Sequence, residues 1–389
     1  MDFTFWVNII ALLFSFFVIG ALLGAAFSRP IREKLVKILH LEHLKNLLLK
    51  RSQKNPILRP GSSPWTAEAV LNPAATVLDG RTHLLYRAIG MDGISRLGYA
   101  SSQDGVVFDK RSHTPAYVAR NPRNLAMHLR RYSPVMYPSG GSWGGCEDPR
   151  MVVIEGRVYV TFNMFDGWDF IRGAAISISK DDFVAERFGK WEGPHILSRQ
   201  NEIQKNWVLF PEKIGGKFAI LHSIAPKIEV AYSDSIETIG TEEPLIQSWV
   251  GARNNLPERK NTWDSFIRSA GPPPIKTSRG WLLFYHAIDK REPGRYQIGA
   301  MLLDLVEPTR ELYRSVAPVL SPNEQYENDG KPGIVYACGA VVRNKILYIY
   351  YGGADKIIAV ATTPLESFID ALIAGNQPTL VEIPPEKMP

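Results

Sequence analysis

The sequence predicts an all-β fold, a five-bladed β-propeller, preceded by an N-terminal transmembrane helix and a basic amphipathic helix. Three observations carry this. The body holds five copies of one pattern at a period of about 60–75 residues, a length that suits a multi-stranded blade. Helical periodicity is almost absent between the copies, while short apolar runs and tight glycine turns recur. The first 54 residues differ in kind, with one long apolar run followed by a basic stretch at helical spacing.

Phe3 to Phe27 carries no charge and is long enough to span a bilayer, which needs about 20 apolar residues. A cleaved signal peptide begins with a basic segment and has a shorter core. Here the only early charge is Asp2, and the basic residues follow the run. The positive-inside rule then puts the C-terminal side in the cytoplasm. The expectation is a membrane-anchored, single-pass chain with its anchor at 1–28 and a cytoplasmic catalytic domain. Next, Ile31, Leu35, Ile38, Leu41, Leu44 and Leu48 recur at spacings of three and four among basic residues. That predicts an amphipathic helix within 29–54, lying on anionic lipid beside the anchor. Pro56, Pro60 and Gly61 mark the start of the propeller, placed at 55–370, with a C-terminal tail at 371–389.

Each copy in the body reads as an apolar strand, a tight turn, a second strand often ending in an aromatic, and a third often carrying Ala-x-Ser. The turns are Asp79-Gly80, Glu155-Gly156, Gly215-Gly216, Arg279-Gly280 and Asn344, and the second strands start near 84, 158, 218, 281 and 346. A propeller packs its first strands around a central channel, so residues that open each copy converge there. The unusual residues fall in those places: Asn72, Asp148 with Arg150, Lys213, Gly271 to Pro274, and Cys338-Gly339.

Composition excludes several classes. The formal charge is +6, and residues 28–54, with eight Lys/Arg against Glu33 and Glu42, account for all of it. The body is nearly neutral, so nucleic acid is not the partner. Cys146 and Cys338 are the only cysteines, and the neighbouring His40 and His43 have no third ligand in view. No disulfide framework or metal site is indicated, and no cofactor is expected.

The chemistry centres on Gly145-Cys-Glu-Asp-Pro-Arg150, which runs straight into an apolar strand. A carboxylic acid in a partly desolvated pocket can hold its proton and act as a general acid. An inverting glycosidase needs a second carboxylate roughly 6.5–9.5 Å away. Glu147 is too close in sequence, and strand alternation points it elsewhere. What gathers instead is positive: Arg150, Arg172, Lys213 and His222, with Arg150 on the strand face of Asp148. Such groups suit a bound oxyanion. An acid beside a phosphate cradle suggests phosphorolysis, with inorganic phosphate as co-substrate. Asp355, after Tyr350-Tyr-Gly-Gly-Ala, can reach a sugar hydroxyl from its blade position.

Across about residues 55–365 the sequence resembles glycoside hydrolase family 130, the β-mannoside phosphorylases and related mannosidases. The residues that carry this are Asn72-Pro-Ala-Ala75, Leu85-Tyr-Arg-Ala88, Glu147-Asp-Pro-Arg150, Leu209-Phe-Pro-Glu-Lys213 with Leu221-His222, Ala270 to Ile275, Leu302-Leu-Asp-Leu305, Cys338 to Val342 and Tyr350 to Asp355. The resemblance implies a five-bladed propeller and makes Asp148 the proton donor, acting through a sugar hydroxyl. It implies that Arg150, Arg172, Lys213 and His222 bind phosphate, and that Asn72, Arg87 and Asp355 hold the mannosyl unit. Ser223 stands where many relatives place arginine, and Arg268-Ser269 also depart from the usual reading. Both departures, like the anchor, bear on the acceptor sugar more than on the reaction. The expected partners are a β-mannoside oligosaccharide, phosphate and a membrane.

The expected activity is inverting phosphorolysis of a β-mannoside to α-mannose 1-phosphate. A β-mannosidase using water, an arabinanase-like inverting hydrolase, and a non-catalytic glycan-binding propeller are the alternatives. The 120–145 loop, with Arg120, Arg123, Arg130 and Arg131, is expected to help set specificity.

Overall fold

A computed structural model of the chain describes residues 49–119, 132, 141–166, 171–198, 204–237 and 259–375. It opens on a strand. β1, Lys50–Arg51, pairs antiparallel with β20, Ile357–Pro364, and so supplies the outer strand of the last blade. Arg51 clamps that closure with a two-pronged ion pair to the buried Glu327, Nε to Oε1 at 2.7 Å and Nη2 to Oε2 at 2.8 Å. Glu327 Oε1 also accepts from Tyr351 Oη at 2.8 Å, and its Oε2 from the backbone of Asn323 and Glu324.

The first blade holds β2 (Ala69–Leu78), β3 (Arg81–Ile89), β4 (Ile94–Ser102) and β5 (Lys110–Arg111). The second holds β6 (Gly144–Ile154), β7 (Arg157–Asp166), β8 (Ile171–Ser179) and β9 (Glu192–Ile196), with a short helix α1 (Lys180–Val184) after β8. The third is β10 (Val208–Leu209), β11 (Phe218–Ser223) and β12 (Glu229–Ser233). The fourth contains β13 (Phe266–Ala270), β14 (Ile275–Thr277), β15 (Gly280–Ile288), β16 (Gln297–Leu303) and β17 (Glu311–Arg314). The fifth is β18 (Val335–Arg343), β19 (Ile346–Gly353), β20 and β1. Within a blade all pairing is antiparallel. Asp79-Gly80, Glu155-Gly156 and Asn344-Lys345 all hold positive φ, the geometry of tight hairpin turns that match strand twist.

Apolar side chains alternate off both faces of each blade and meet those of the next. Leu85 and Tyr99 pack with Val160 and Ile176 between the first two blades, and Phe210 and Leu221 pack with Leu283 and Met301 between the third and fourth. Val341 and Val360 of the last blade meet Val70 and Leu84 of the first, so the ring closes on a core as well as on β1. Each such aliphatic side chain contributes about 1.5–3 kcal/mol by leaving water. One connection departs from simple blade packing: β4 and β6 pair in parallel at Ile94–Gly144 and Ser95–Gly145, making one continuous sheet of two blades. Gly145 permits it, since a Cβ there would sit 2.0 Å from Ser95 O.

The N-terminal expectations are corrected. Among the described residues no helix is long and apolar enough to cross a membrane. The segment given to the anchor lies outside the described residues, and neither the transmembrane helix nor the membrane-anchored, single-pass location is retained. The amphipathic helix expected to reach residue 54 does not: Lys50 and Arg51 form a propeller strand, held extended by pairing with β20 and by the ion pair of Arg51 with Glu327. At the other end α2, Leu365–Gly375, crosses the boundary placed at 370 and buries Phe368, Ile369, Ala371 and Leu372. Residues 376–389 lie outside the described residues.

Candidate active site

Each blade has a register break in its opening strand or, in the third blade, in β11. The breaks fall between Leu71 and Ala74, Glu147 and Arg150, Leu221 and Ser223, Ile267 and Ser269, and Ala337 and Gly339. A β-bulge re-aims a side chain. Four of the residues within these breaks, Asn72, Asp148, His222 and Arg268, line one cavity of about 410 Å³ together with Arg87, Lys205, Lys331, Tyr336 and Asp355. Asn72 and Asp148 each precede a proline, which cannot donate to a ladder. Their φ values of 48° and 49° lie in the left-handed region, which Asn and Asp tolerate better than other non-glycine residues.

Arg87 organises the floor. Its Nη1 lies 3.3 Å from Asp148 Oδ1, its Nη2 donates to Glu147 Oε1 at 2.9 Å and Ser142 Oγ at 2.6 Å, and its Nε to Ser95 Oγ at 2.8 Å. Glu147 is fully buried and also accepts from Lys205 Nζ at 2.9 Å. Glu147 is not among the cavity-lining residues, and its bonds to Arg87 and Lys205 give it a structural role. Asn72 Nδ2 donates to Asp148 Oδ1 at 2.7 Å. Asp355 faces Lys331 Nζ at 3.5 Å.

The four cations expected around phosphate are not all brought together. His222 lines the cavity. Arg150 is buried behind it, donating to the carbonyls of Gly271 (2.9 Å), Ala270 (3.1 Å) and Asp148 (2.8 Å). It thereby ties the second blade to the fourth and fixes the Asp148 backbone. Arg172 bonds to Ser198 and is not among the cavity-lining residues. Lys213 lies outside the lining too, paired with Glu155 at 2.8 Å and set over the Phe218 ring. Asn72, Arg87, Asp148 and Asp355 do converge.

The sequence reading missed Lys205, Lys331 and Tyr336, and it noted Arg268 only as a departure from the family pattern, without placing it in the cavity. Lys205 was within reach of the blade-opening logic, because Lys205-Asn206-Trp207 leads into β10. Asn206 is pinned by Asn163, whose Oδ1 accepts from Asn206 N at 2.7 Å. Most of the 120–145 loop lies outside the described residues, although Tyr132 is described and packs against Ala69, Leu71 and Ile89. Among the described residues no group of His, Cys, Asp or Glu could hold a metal ion.

The two cavity carboxylates are driven apart. Burial pushes Asp148 up, but Arg87, Arg150 and the Asn72 hydrogen bond together outweigh it and hold the carboxyl below its ordinary value. Burial dominates at Asp355 and raises it, against Lys331 and Arg87 and with help from the Asp148 charge. Burial lowers His222 to about 4, so its imidazole is neutral at physiological pH. The site thus offers an ordered carboxylate, a second carboxyl of opposite tendency, and several cations in one desolvated cavity. Opposed carboxyl shifts and clustered cations suit glycosyl transfer to or from an oxyanion.

Comparison with known proteins agrees. The family model for glycoside hydrolase family 130, described as beta-1,4-mannooligosaccharide phosphorylase, matches residues 41–373. The chain is 36% identical to a 1,2-beta-oligomannan phosphorylase of Thermoanaerobacter sp. (strain X514), over 80% of this chain and 96% of that one. It is 31% identical to a beta-1,4-mannooligosaccharide phosphorylase of Ruminococcus albus, over 82% and 89% of the two chains. Among solved structures it superposes with a TM-score of 0.64 and 27% identity on one described under family 130 glycoside hydrolases that target β-1,2 mannosidic linkages in Candida mannan, covering 81% of this chain and 94% of that one.

Proposed function

The chain belongs to glycoside hydrolase family 130 and is an enzyme of the glycoside phosphorylase or glycosidase type, and from that premise we propose that it is an inverting β-mannoside phosphorylase. Asp148 is the acid. Lys205 and His222 hold phosphate at the cavity wall, with the Arg150 charge behind them, and Asn72, Arg87 and Asp355 hold the mannosyl unit. A phosphate oxygen attacks C1 from the face opposite the leaving group, and the C1–O bond to the acceptor breaks. The acceptor oxygen takes the Asp148 proton through a sugar hydroxyl. The proton lost from the new phosphate ester balances it. The products are α-mannose 1-phosphate and a shortened acceptor.

The observation that carries this reading is the Asp148 carboxylate bracketed by cations. Without ligand, Arg87 and Arg150 keep Asp148 ionised. A phosphate dianion beside Lys205 offsets that field and lets Asp148 take up the proton it must donate. Acid and nucleophile therefore arrive together.

One observation favours a second reading. Asp355 is the carboxyl that burial raises, and a raised Asp355 facing an ionised Asp148 would serve a mannosidase that activates water. The test is a panel of β-1,2- and β-1,4-mannobioses and longer mannooligosaccharides, incubated with and without millimolar phosphate and followed by NMR. Phosphate-dependent α-mannose 1-phosphate supports phosphorolysis. Free mannose in both arms supports the mannosidase.

A further inference from the structure

Arg268 and Lys331 line the cavity and have no part in the reaction above, and Lys331 is paired with Asp355. Arg268 is the extra residue of the β13 bulge: Ile267 pairs with Ala287 and Ser269 with His286, leaving Arg268 unpaired on the strand. The other cavity cations are engaged with carboxylates, Arg87 with Glu147 and Asp148, Lys205 with Glu147, and Lys331 with Asp355. Arg268, among the described residues, makes no ion pair. Its guanidinium is held instead by aromatic faces, 4.9 Å from the Phe266 ring centre and 5.8 Å from that of Tyr296. Rings orient an arginine without neutralising it.

The position is the cavity rim. Arg268 is exposed and Phe266 is 42% exposed, whereas Asp148 is 8% exposed. Phe266, Ile267, Tyr296 and Ile334 also line the cavity. Aromatic and aliphatic surface beside a hydrogen-bonding rim suits the C–H face of a pyranose. The bulge itself is braced from below: Ala337 N donates to His286 Nε2 at 2.9 Å, so His286 Nδ1 carries the hydrogen that meets Ser269 Oγ at 3.0 Å. Ser269 also meets Tyr336 Oη at 3.0 Å, and the His286 and Tyr336 rings stack at 3.6 Å. Burial keeps His286 neutral, at about 3.

We propose that Arg268, on its platform of Phe266 and Tyr296, is a specificity residue for an acceptor saccharide that carries an anionic oxygen group, a carboxylate or a phosphate ester, on the ring next to the cleaved bond. This rests on the glycosyl-transfer reading of the same cavity. A fixed guanidinium with no carboxylate partner among the described residues meets such a group in a charge-assisted, two-pronged bond, and a neutral sugar leaves it unmatched.

The test runs the full-length chain in the synthetic direction, with α-mannose 1-phosphate as donor and glucose, glucuronate and glucose 6-phosphate as paired acceptors. Glucuronate or glucose 6-phosphate is used with a kcat/KM about tenfold above that of glucose, the scale of one charge-assisted bond. Which of the two is preferred names the anionic group. Arg268→Gln collapses the acidic-to-neutral ratio towards one, and Arg268→Lys restores part of it. Equal use of all three acceptors by the wild type overturns the proposal. So does a rise in KM for phosphate in Arg268→Gln with the ratio kept, which would make Arg268 a phosphate ligand. Calorimetric titration of the same sugars separates this from the reaction itself. If no acceptor is mannosylated, the phosphorylase reading fails. Tighter binding of an acidic sugar that is lost in Arg268→Gln then still sustains the inference, and equal binding ends it.

Discussion

Asn72 Nδ2 donates to Asp148 Oδ1 at 2.7 Å, and the two residues, opening successive blades, share a φ of 48° and 49°, a following proline and a β-bulge. The same local device is used twice, once to present an acid and once to present the amide that orients it. Such backbone geometry costs on the order of 1–3 kcal/mol per residue and persists where packing over-determines it. Here the packing is visible: Arg87 and Arg150 hold Asp148 from two sides, and Gly352 makes room for Asn72.

Gly352→Ala tests that room. A Cβ at Gly352 would lie 2.2 Å from Asn72 Oδ1 and 2.9 Å from Asn72 N. Asn72 must shift, and Asp148 loses its orienting bond. The expected outcome is a fall in kcat/KM of about a hundredfold, the effect of misplacing a reacting group by about 1 Å, measured by steady-state kinetics on the best mannoside. Circular dichroism should show the native fold.

Asp148→Asn removes the proton donor while keeping the side-chain shape. Activity on a mannobiose should fall by about 10²–10⁴-fold, the range of general-acid catalysis. An aryl mannoside with an acidic phenol needs little protonation, so its loss should be far smaller. Equal losses on both substrates would assign Asp148 a binding role instead.

His222 carries a pH signature in stability. Burial lowers its folded pKa to about 4 from the ordinary histidine value of 6.5. The unfolded chain therefore binds the extra proton between those values, and stability rises with pH across that window. The contribution is fully present above pH 6.5 and is lost as pH falls towards 4, on the order of 3 kcal/mol. Denaturant unfolding of His222→Gln between pH 7 and 4 should show a shallower fall than the wild type. Parallel curves would mean that the imidazole is not buried as described.

The propeller was legible because its signals are local and repeated. Asp79-Gly80 and Glu155-Gly156 announce hairpins, and apolar runs such as Leu84 to Ala88 announce strands. The cavity was legible where chemistry coincided with a blade opening, as at Asn72 and Asp148. It was not legible where cations of equal charge differ only by which way the strand turns them. Lys213 pairs with Glu155, while Lys205, eight residues earlier, reaches into the cavity and bonds to Glu147. Arg268 depended on a bulge that no residue type announces. At the N-terminal side, the basic residues read as one face of a helix include Lys50 and Arg51, which form a sheet strand in which Arg51 pairs with a buried glutamate far along the chain.

The most direct measurement follows the initial rate of β-mannobiose cleavage as inorganic phosphate is titrated from zero. Phosphorolysis predicts a rate that extrapolates to zero without phosphate and saturates with it, with one α-mannose 1-phosphate formed per bond cleaved. A rate that starts at its full value in the absence of phosphate, with free mannose as product, would contradict the assignment of phosphate as the nucleophile.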